Sequence, residues 1–485
     1  MTTNQSNSST ADSGLPQIEH WINGRATQPA SAQYLNSTDP RDRSAAFAIA
    51  DGDDRDINNA VQAAAAAAEP WKARTTADRS ESLSALGLAI RDNLSELADA
   101  ESTETGKLLP QARAELLAAA GYFEYYAAVV RTLHGSTIDQ GPKQHTYTRH
   151  EPFGVVAIIA PWNAPLNQTA RGAAPALAAG NVVVAKPSEF TSAATVKFAQ
   201  LATQAGLPNG VFNVVTGTGQ QVGAPLVRHP DVRRVTFTGS VSTGQAIGHI
   251  AADRIVPLTL ELGGKSPVIV FSDADLDGAA RACAATVLLN SGQICSATTR
   301  LLVQRSVQDE LLQKTADLLA NAVPGRDFGP IITETQFAKV LDFFESATRE
   351  GAEVVTGGTH YQEGPAATGR YVTPTLYRNA TPEMTIVQEE VFGPVLSATP
   401  FDSEAEAITL ANDTDFGLAG AVWSNDGARG IRVAERIQAG QVAINGGLLS
   451  LETPFGGYKA SGYGREKGAD AIYEYTQVKT ISMAL

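Results

Sequence analysis

Cysteine is scarce in this chain: there are two in 485 residues, Cys283 and Cys295, twelve positions apart. That excludes a secreted disulfide framework, which needs several paired thiols to staple a small core. No apolar run reaches the about 20 residues of a membrane-spanning helix; residues 154–161 have the length of a buried strand. Basic charge is short as well. Lys and Arg number 37 against 51 Asp and Glu, a net charge of -14, which argues against nucleic acid or an anionic membrane as the main partner. About the first fifteen residues are polar, rich in Ser, Thr and Asn, and carry no basic-then-apolar leader pattern. They read as a disordered tail, and the protein as cytoplasmic. Standard phosphate loops are missing too. Gly264-Lys265-Ser266 ends like a P-loop, but Thr259 stands where the first glycine belongs. None of the seven histidines lies in a motif beside a cysteine, so a thiol hydrolase would lack its customary partner. No metal site is expected.

What is present is an ordinary globular composition, 43% apolar and 18% charged, in a chain long enough for two or three domains. Residues 20–24, His-Trp-Ile-Asn-Gly, read as a strand entering a turn. Helical spacing follows over 57–73, 79–100 and 109–127, and the polar, Gly-containing stretch 133–150 suits a protruding hairpin. Beyond Pro152 strands alternate with helices. Strands are predicted over 155–160, 182–185, 211–215, 234–237, 258–262 and 268–271, with helices over 165–179, 191–205, 220–228 and 242–252. Such alternation predicts an α/β fold with a parallel sheet covered on both faces, binding ligands at the carboxyl ends of the strands. A second alternating region runs from Cys295 to about Asn445. The terminal stretch 473–482 alternates as an exposed strand, which another chain would pair with, so the protein is expected to be a homo-oligomer.

Several residues fall where chemistry could be done. Cys295 lies in a loop between a helix that Asp275 can cap and a strand beginning at Arg300; Gly292 suits the left-handed position that closes the helix. A lone cysteine is more often a small buried hydrophobe, and Cys283, on the helix itself, is assigned to packing. Gly217-Thr218-Gly219 with Gly223, and Gly239-Ser240 with Gly244, join strands to helices with irregular spacing, yet place N–H groups where a pyrophosphate could sit. Lys186 and Glu189, just past a strand end, can bond an adenosine ribose or form a solvated pair. Glu261 ends a strand beside Gly263 and Gly264, placed as a base or as a salt-bridged acid. Asn163 either caps the helix begun by Pro165 or aims its amide at an oxyanion.

These motifs occur in an order. Pro161-Trp162-Asn163, Lys186-Pro187-Ser188-Glu189, Phe237-Thr238-Gly239-Ser240, Glu261-Leu262-Gly263-Gly264-Lys265, Gly292-Gln293-Ile294-Cys295, Glu389-Glu390-Val391-Phe392-Gly393-Pro394 and Pro454-Phe455-Gly456-Gly457 resemble the aldehyde dehydrogenase superfamily from about Trp21 to the end. The resemblance implies a Rossmann-like cofactor domain (1–132 with 152–262), an α/β catalytic domain (263–460) and a small β oligomerisation arm (133–151 with 471–485), assembled as a homodimer or homotetramer. It implies Cys295 as nucleophile, Glu261 as general base and Asn163, with the Cys295 N–H, as oxyanion donors. Trp162, Lys186, Glu189, Gly219, Gly239, Ser240, Gly244, Leu262, Glu390 and Phe392 match cofactor positions. Glu466 matches a second acid that some members use in proton relay.

The resemblance implies NAD as cofactor, because Glu189 would bond a free ribose hydroxyl and repel the 2′-phosphate of NADP; a charged hydrogen bond is worth about 1.5–3 kcal/mol, a preference of roughly ten- to a hundredfold. NADP is the weaker alternative, tolerated by Lys186. The substrate is expected to be a small-molecule aldehyde, bulky and aromatic in kind. Gln168 and Arg171 depart from the apolar residues common in relatives; Arg171 is expected to face the substrate channel and meet a polar or anionic group, or else to pair with an acid elsewhere. Gly446 and Gly447 would widen the channel mouth. The pattern is most similar to aromatic-aldehyde members, of the vanillin or benzaldehyde type. A CoA-acylating member is the alternative, disfavoured by the presence of Glu261.

Overall fold

Strands rich in valine and isoleucine build the first sheet of the computed structural model, which describes residues 14–485; residues 1–13 of the expected tail lie outside the described residues. Val155–Ile159, Val182–Lys186, Phe212–Val214, Val232–Thr238 and Leu258–Glu261 are buried along almost every residue, as strands covered on both faces must be. They pair in parallel. Antiparallel neighbours close both edges. Gly462–Tyr463 joins Leu258–Glu261. At the other edge, His20–Ile22 and Arg25–Thr27 form the expected hairpin through Asn23 and Gly24, both at positive φ. The helices Pro165–Ala178, Ala193–Gln204 and Val241–Ala252 lie between strands as predicted.

One helix differs from its expected form. The 79–100 pattern is two helices, Thr76–Asp92 and Leu94–Thr105. Asn93 separates them: its side-chain amide donates to the Ala89 carbonyl at 2.8 Å, competing for the helix's own acceptor.

A second sheet takes the order Glu353–Thr356, Thr375–Arg378, Val395–Phe401, Arg300–Gln304, Pro267–Val270, Ala419–Trp423, Gln441–Ile444, and all its pairings but the first are parallel. Residues 262–266 alone separate the last central strand of the first sheet from Pro267–Val270 of the second, so the two strand ends meet at a seam.

The terminal strand departs from expectation. Thr476–Ala484 pairs antiparallel with Gln144–Pro152 of the same chain, while Ala469–Tyr475 is a 3-10 turn whose Ala471, Ile472 and Tyr475 enter the first core. The protruding hairpin predicted over 133–150 supplies that partner. Among the described residues no helix is long and apolar enough to cross a membrane.

Candidate active site

The helix Leu276–Leu288, capped by the Asp275 side chain on the Gly278 N–H, ends through three consecutive left-handed residues: Asn290, Ser291 and Gly292 at φ 49°, 52° and 70°. Only the glycine was foreseen. A side chain there is excluded twice over, by φ and because a Cβ would lie 2.1 Å from the Gly393 carbonyl oxygen. The two non-glycine residues are held in their costly conformation by hydrogen bonds. Ser291 Oγ donates to the Gly329 carbonyl, and Asn290 Nδ2 to the carbonyls of Asn163 and Gln293, each at 3.2 Å. The buried Gln293 side chain donates to the Asn290 and Pro330 carbonyls and accepts from the Ile332 N–H. This clamp presents Cys295 as a partly exposed free thiol, whereas Cys283 is buried in the core of the second sheet.

Asn163 does not cap its helix. Ala164 occupies the cap position without a side-chain bond, and Asn163 Nδ2 donates to the Gln293 carbonyl at 2.9 Å. The amide therefore lies against the loop that carries the thiol. Glu261 is buried, with neither carboxylate oxygen hydrogen-bonded. Desolvation, then repulsion from Glu466, holds its carboxyl well above the ordinary range, with Arg171, Arg465 and Lys467 pulling the other way. Desolvation likewise pushes the Cys295 thiol up to about 11, opposed first by Arg171. A neutral thiol thus lies in the field of a carboxyl with raised proton affinity.

The Glu390 loop closes over the seam. Glu390 Oε1 accepts the Gly264 N–H at 3.1 Å, and a Cβ on Gly264 would strike the Cys295 carbonyl oxygen at 2.4 Å. Desolvation raises the Glu390 carboxyl to about 7. Phe392 adopts a left-handed φ of 52° and meets Trp162 edge to face, ring centres 5.3 Å apart. Gln336 and Lys339, unremarked in the sequence, hold this loop: Gln336 Nε2 donates to the Val391 and Phe392 carbonyls, Lys339 Nζ to that of Glu390. Their signal in the sequence was only that of a helix start, since Thr333 caps the helix by accepting the Gln336 N–H.

One cleft of about 170 Å³ is lined by Trp162, Asn163, Gln168, Gly239, Ser240, Leu262, Cys295, Glu390 and Phe392, together with Gln336 and Lys339. Ser240 also caps the helix Val241–Ala252, and Gly244 permits close approach of that helix, as a Cβ there would meet Leu262 at 2.6 Å. Lys186, Glu189 and Gly219 form a separate cluster at the carboxyl end of Val182–Lys186. Lys186 Nζ lies 3.1 Å from Glu189 Oε2. Desolvation works against the Glu189 charge, but Lys186 and nearby backbone N–H groups together outweigh it and hold the carboxyl below its ordinary range.

Two placements are expected for Arg171, facing the substrate channel or paired with an acid elsewhere, and the structure shows the second: Arg171 is buried, forms an ion pair with Glu466 and lies 4.7 Å from the centre of the Phe455 ring. The cause is the paired backbone of Phe455 and Glu466, which delivers a buried carboxylate to the guanidinium. A carboxylate removed from water demands a cation, and Arg171 supplies it. Gln168 does line the cleft, with its Oε1 buried and unpartnered. Lys467 went unremarked; desolvation, then Arg171, lowers its ammonium to about 8 beside the Phe455 ring. At the far side of Gly446 and Gly447, Leu448 is 95% exposed. Among the described residues no group of three or more His, Cys, Asp or Glu side chains is arranged to hold a metal ion.

A solved structure assigned as an aldehyde dehydrogenase from Burkholderia cenocepacia is 43% identical and superposes with a TM-score of 0.93, over 96% of this chain and 100% of that one. Betaine aldehyde dehydrogenase from Staphylococcus aureus, crystallised as a point mutant with NAD+, is 36% identical at a TM-score of 0.94, over 96% and 97%. Indole-3-acetaldehyde dehydrogenase from P. syringae, crystallised as a mutant with NAD+ and IAA, is 35% identical at 0.94, over 96% of each chain. The family model described as the aldehyde dehydrogenase family matches residues 27–481, and the chain belongs to that family.

Proposed function

We propose that this enzyme oxidises an aldehyde to its carboxylic acid with NAD. The observation that carries the reading is that one cleft holds a partly exposed thiol, a buried amide and the Glu390–Phe392 loop together. Cys295 Sγ attacks the carbonyl carbon, and its proton passes to Glu261. The raised proton affinity of Glu261 suits it to take that proton. The charge developing on oxygen is held by Asn163 Nδ2 and the Cys295 N–H. The Trp162, Glu390 and Phe392 side of the cleft would hold the nicotinamide of NAD, which would supply the hydride acceptor for oxidation of the Cys295 adduct to a thioester. Glu261, once it has passed that first proton to solvent, deprotonates water, whose oxygen attacks the thioester carbon; the C–S bond breaks, the Cys295 thiolate takes a proton back and the acid is freed.

The residues present suit NAD. Glu189, with Lys186, would bond the adenosine ribose; the Gly239–Ser240 turn lines the cleft and would border the pyrophosphate, with Gly219 at the Lys186–Glu189 end; Gly244 and Leu262 shape the crevice; Trp162, Glu390 and Phe392 would hold the nicotinamide end. The unpartnered Gln168 acceptor in the cleft favours an aldehyde carrying a hydrogen-bond donor, and we keep the aromatic class that the resemblance implies. The acid-bearing alternative rested on Arg171, whose charge Glu466 already occupies.

We keep the domain division that the resemblance implies, except that we begin the arm at Thr476, since Ala471, Ile472 and Tyr475 pack in the first core. Val478, Met483 and Leu485 are exposed on that arm, which suits pairing between copies as a dimer or tetramer. Two free thiols fit a reducing compartment, and the cytoplasm is our assignment. The test is NAD reduction across a panel of aldehydes, with and without CoA, in wild type and Cys295→Ala. Full activity in Cys295→Ala would overturn the mechanism, and a strict need for CoA would make the enzyme an acylating one.

A further inference from the structure

Behind the proposed oxyanion amide lies a buried ammonium that the mechanism above does not use. Lys107 follows the helix Leu94–Thr105 and its C-cap Gly106, and its side chain is fully buried. Its three donors are all taken: Glu101 Oε1 at 3.0 Å, the Glu115 carboxylate, and the backbone carbonyl of Asn163 at 2.9 Å. The same Asn163 carbonyl accepts from Asn290 Nδ2, which also donates to the Gln293 carbonyl, and that carbonyl in turn accepts from Asn163 Nδ2. A closed ring of hydrogen bonds thus joins the Asn163 main chain, its own side-chain amide and the loop leading to Cys295. Lys107 anchors the ring from outside the cleft.

Removing an ammonium from water is costly, and here two carboxylates are drawn in to balance it. A neutral donor would hold an isolated carbonyl at far less cost. What the charged donor adds is a short, charge-assisted bond on a tetrahedral head whose other two positions are fixed by Glu101 and Glu115. The direction of the third bond, and with it the Asn163 backbone, is set by residues of two helices. An amide has two N–H bonds. With one committed to the Gln293 carbonyl, the orientation of the other follows from where the main chain is held.

We propose that Lys107 is a positioning residue: it fixes the Asn163 backbone so that the free N–H of the Asn163 amide points at the oxyanion formed on attack by Cys295. The proposal rests on the reading of Asn163 as an oxyanion donor. Its effect belongs to the transition state, so it is seen in kcat and spares aldehyde binding.

The experiment is a double-mutant cycle between Lys107→Met and Asn163→Ala, read as kcat and aldehyde KM. Lys107→Met is expected to lower kcat by about 10- to 100-fold, the scale of a catalytic group misplaced by a fraction of an ångström, with KM changed less than about threefold. In the Asn163→Ala background it should cost less than about threefold more, since the group it orients is gone. If the two losses multiply, Lys107 acts by another route and the proposal fails. If Asn163→Ala alone leaves kcat unchanged, the oxyanion reading fails first, a distinguishable result. Should Lys107→Met fold poorly because Glu101 is left uncompensated, Lys107→Met/Glu101→Gln removes that buried charge. This variant should recover the melting temperature and keep the loss in kcat. Recovery of full kcat with the lysine still absent would overturn the proposal.

Discussion

Arg171 and Glu466 form an ion pair sealed from solvent between the helix that begins at the cleft and the segment that returns to the first sheet. Breaking such a pair from one side strands the remaining charge, at about 3–5 kcal/mol. Arg171→Ala should therefore lower the melting temperature strongly while leaving the ranking of benzaldehydes, semialdehydes and alkanals unchanged. A shifted ranking at an unchanged melting temperature would show that the guanidinium reads the substrate after all.

The buried amide of Asn163 should matter to rate far more than to affinity. Asn163→Ala is expected to cost about 10²–10³ in kcat, with NAD affinity by titration calorimetry unaltered.

Glu261 carries a pH signature in stability. Its folded-state carboxyl is raised above the ordinary value of 4.5, so above that pH the folded protein keeps a proton that the unfolded chain has released. Stability then falls as pH rises, by about 1.4 kcal/mol per unit, until the folded value is passed. Glu261→Gln removes this slope. The variant should melt higher than wild type near about pH 8 and alike below about pH 4, while losing aldehyde oxidation. Parallel melting curves for the two proteins across this range would contradict the assignment.

Glu189 is predicted to set cofactor choice. Glu189→Gln removes the charge that repels a 2′-phosphate but keeps a hydrogen-bonding amide. The ratio of kcat/KM for NAD over NADP should fall by about tenfold or more, measured as NADH and NADPH formation with one aldehyde.

Gly292→Ala tests the nucleophile loop. The added methyl meets the Gly393 carbonyl at 2.1 Å and must adopt φ 70°, so both the melting temperature and kcat should drop. The change in alkylation rate of Cys295 by iodoacetamide reports the displaced thiol directly.

Much of this site was legible because its residues sit at chain-order landmarks: Glu261 at a strand end, Asn163 before a helix proline, Cys295 after a helix stop. Each landmark marks where backbone meets the seam, so position alone implied proximity. The failures share another cause. Arg171 and Glu466 are 295 positions apart, and nothing local to either one shows that an acid arrives to neutralise the base. The same holds for Lys107, which reads as one more surface lysine until Glu101, Glu115 and the Asn163 carbonyl surround it. The terminal strand's pattern showed that it needs a partner, not that Gln144–Pro152 would supply one.

The Gly292–Gly393 contact has a wider consequence. The loop that carries Cys295 and the loop that carries Glu390 and Phe392 are spaced there by main chain against main chain. That spacing depends on the absence of a side chain at Gly292, so it tolerates the exchange of neighbouring side chains better than the addition of a single methyl group.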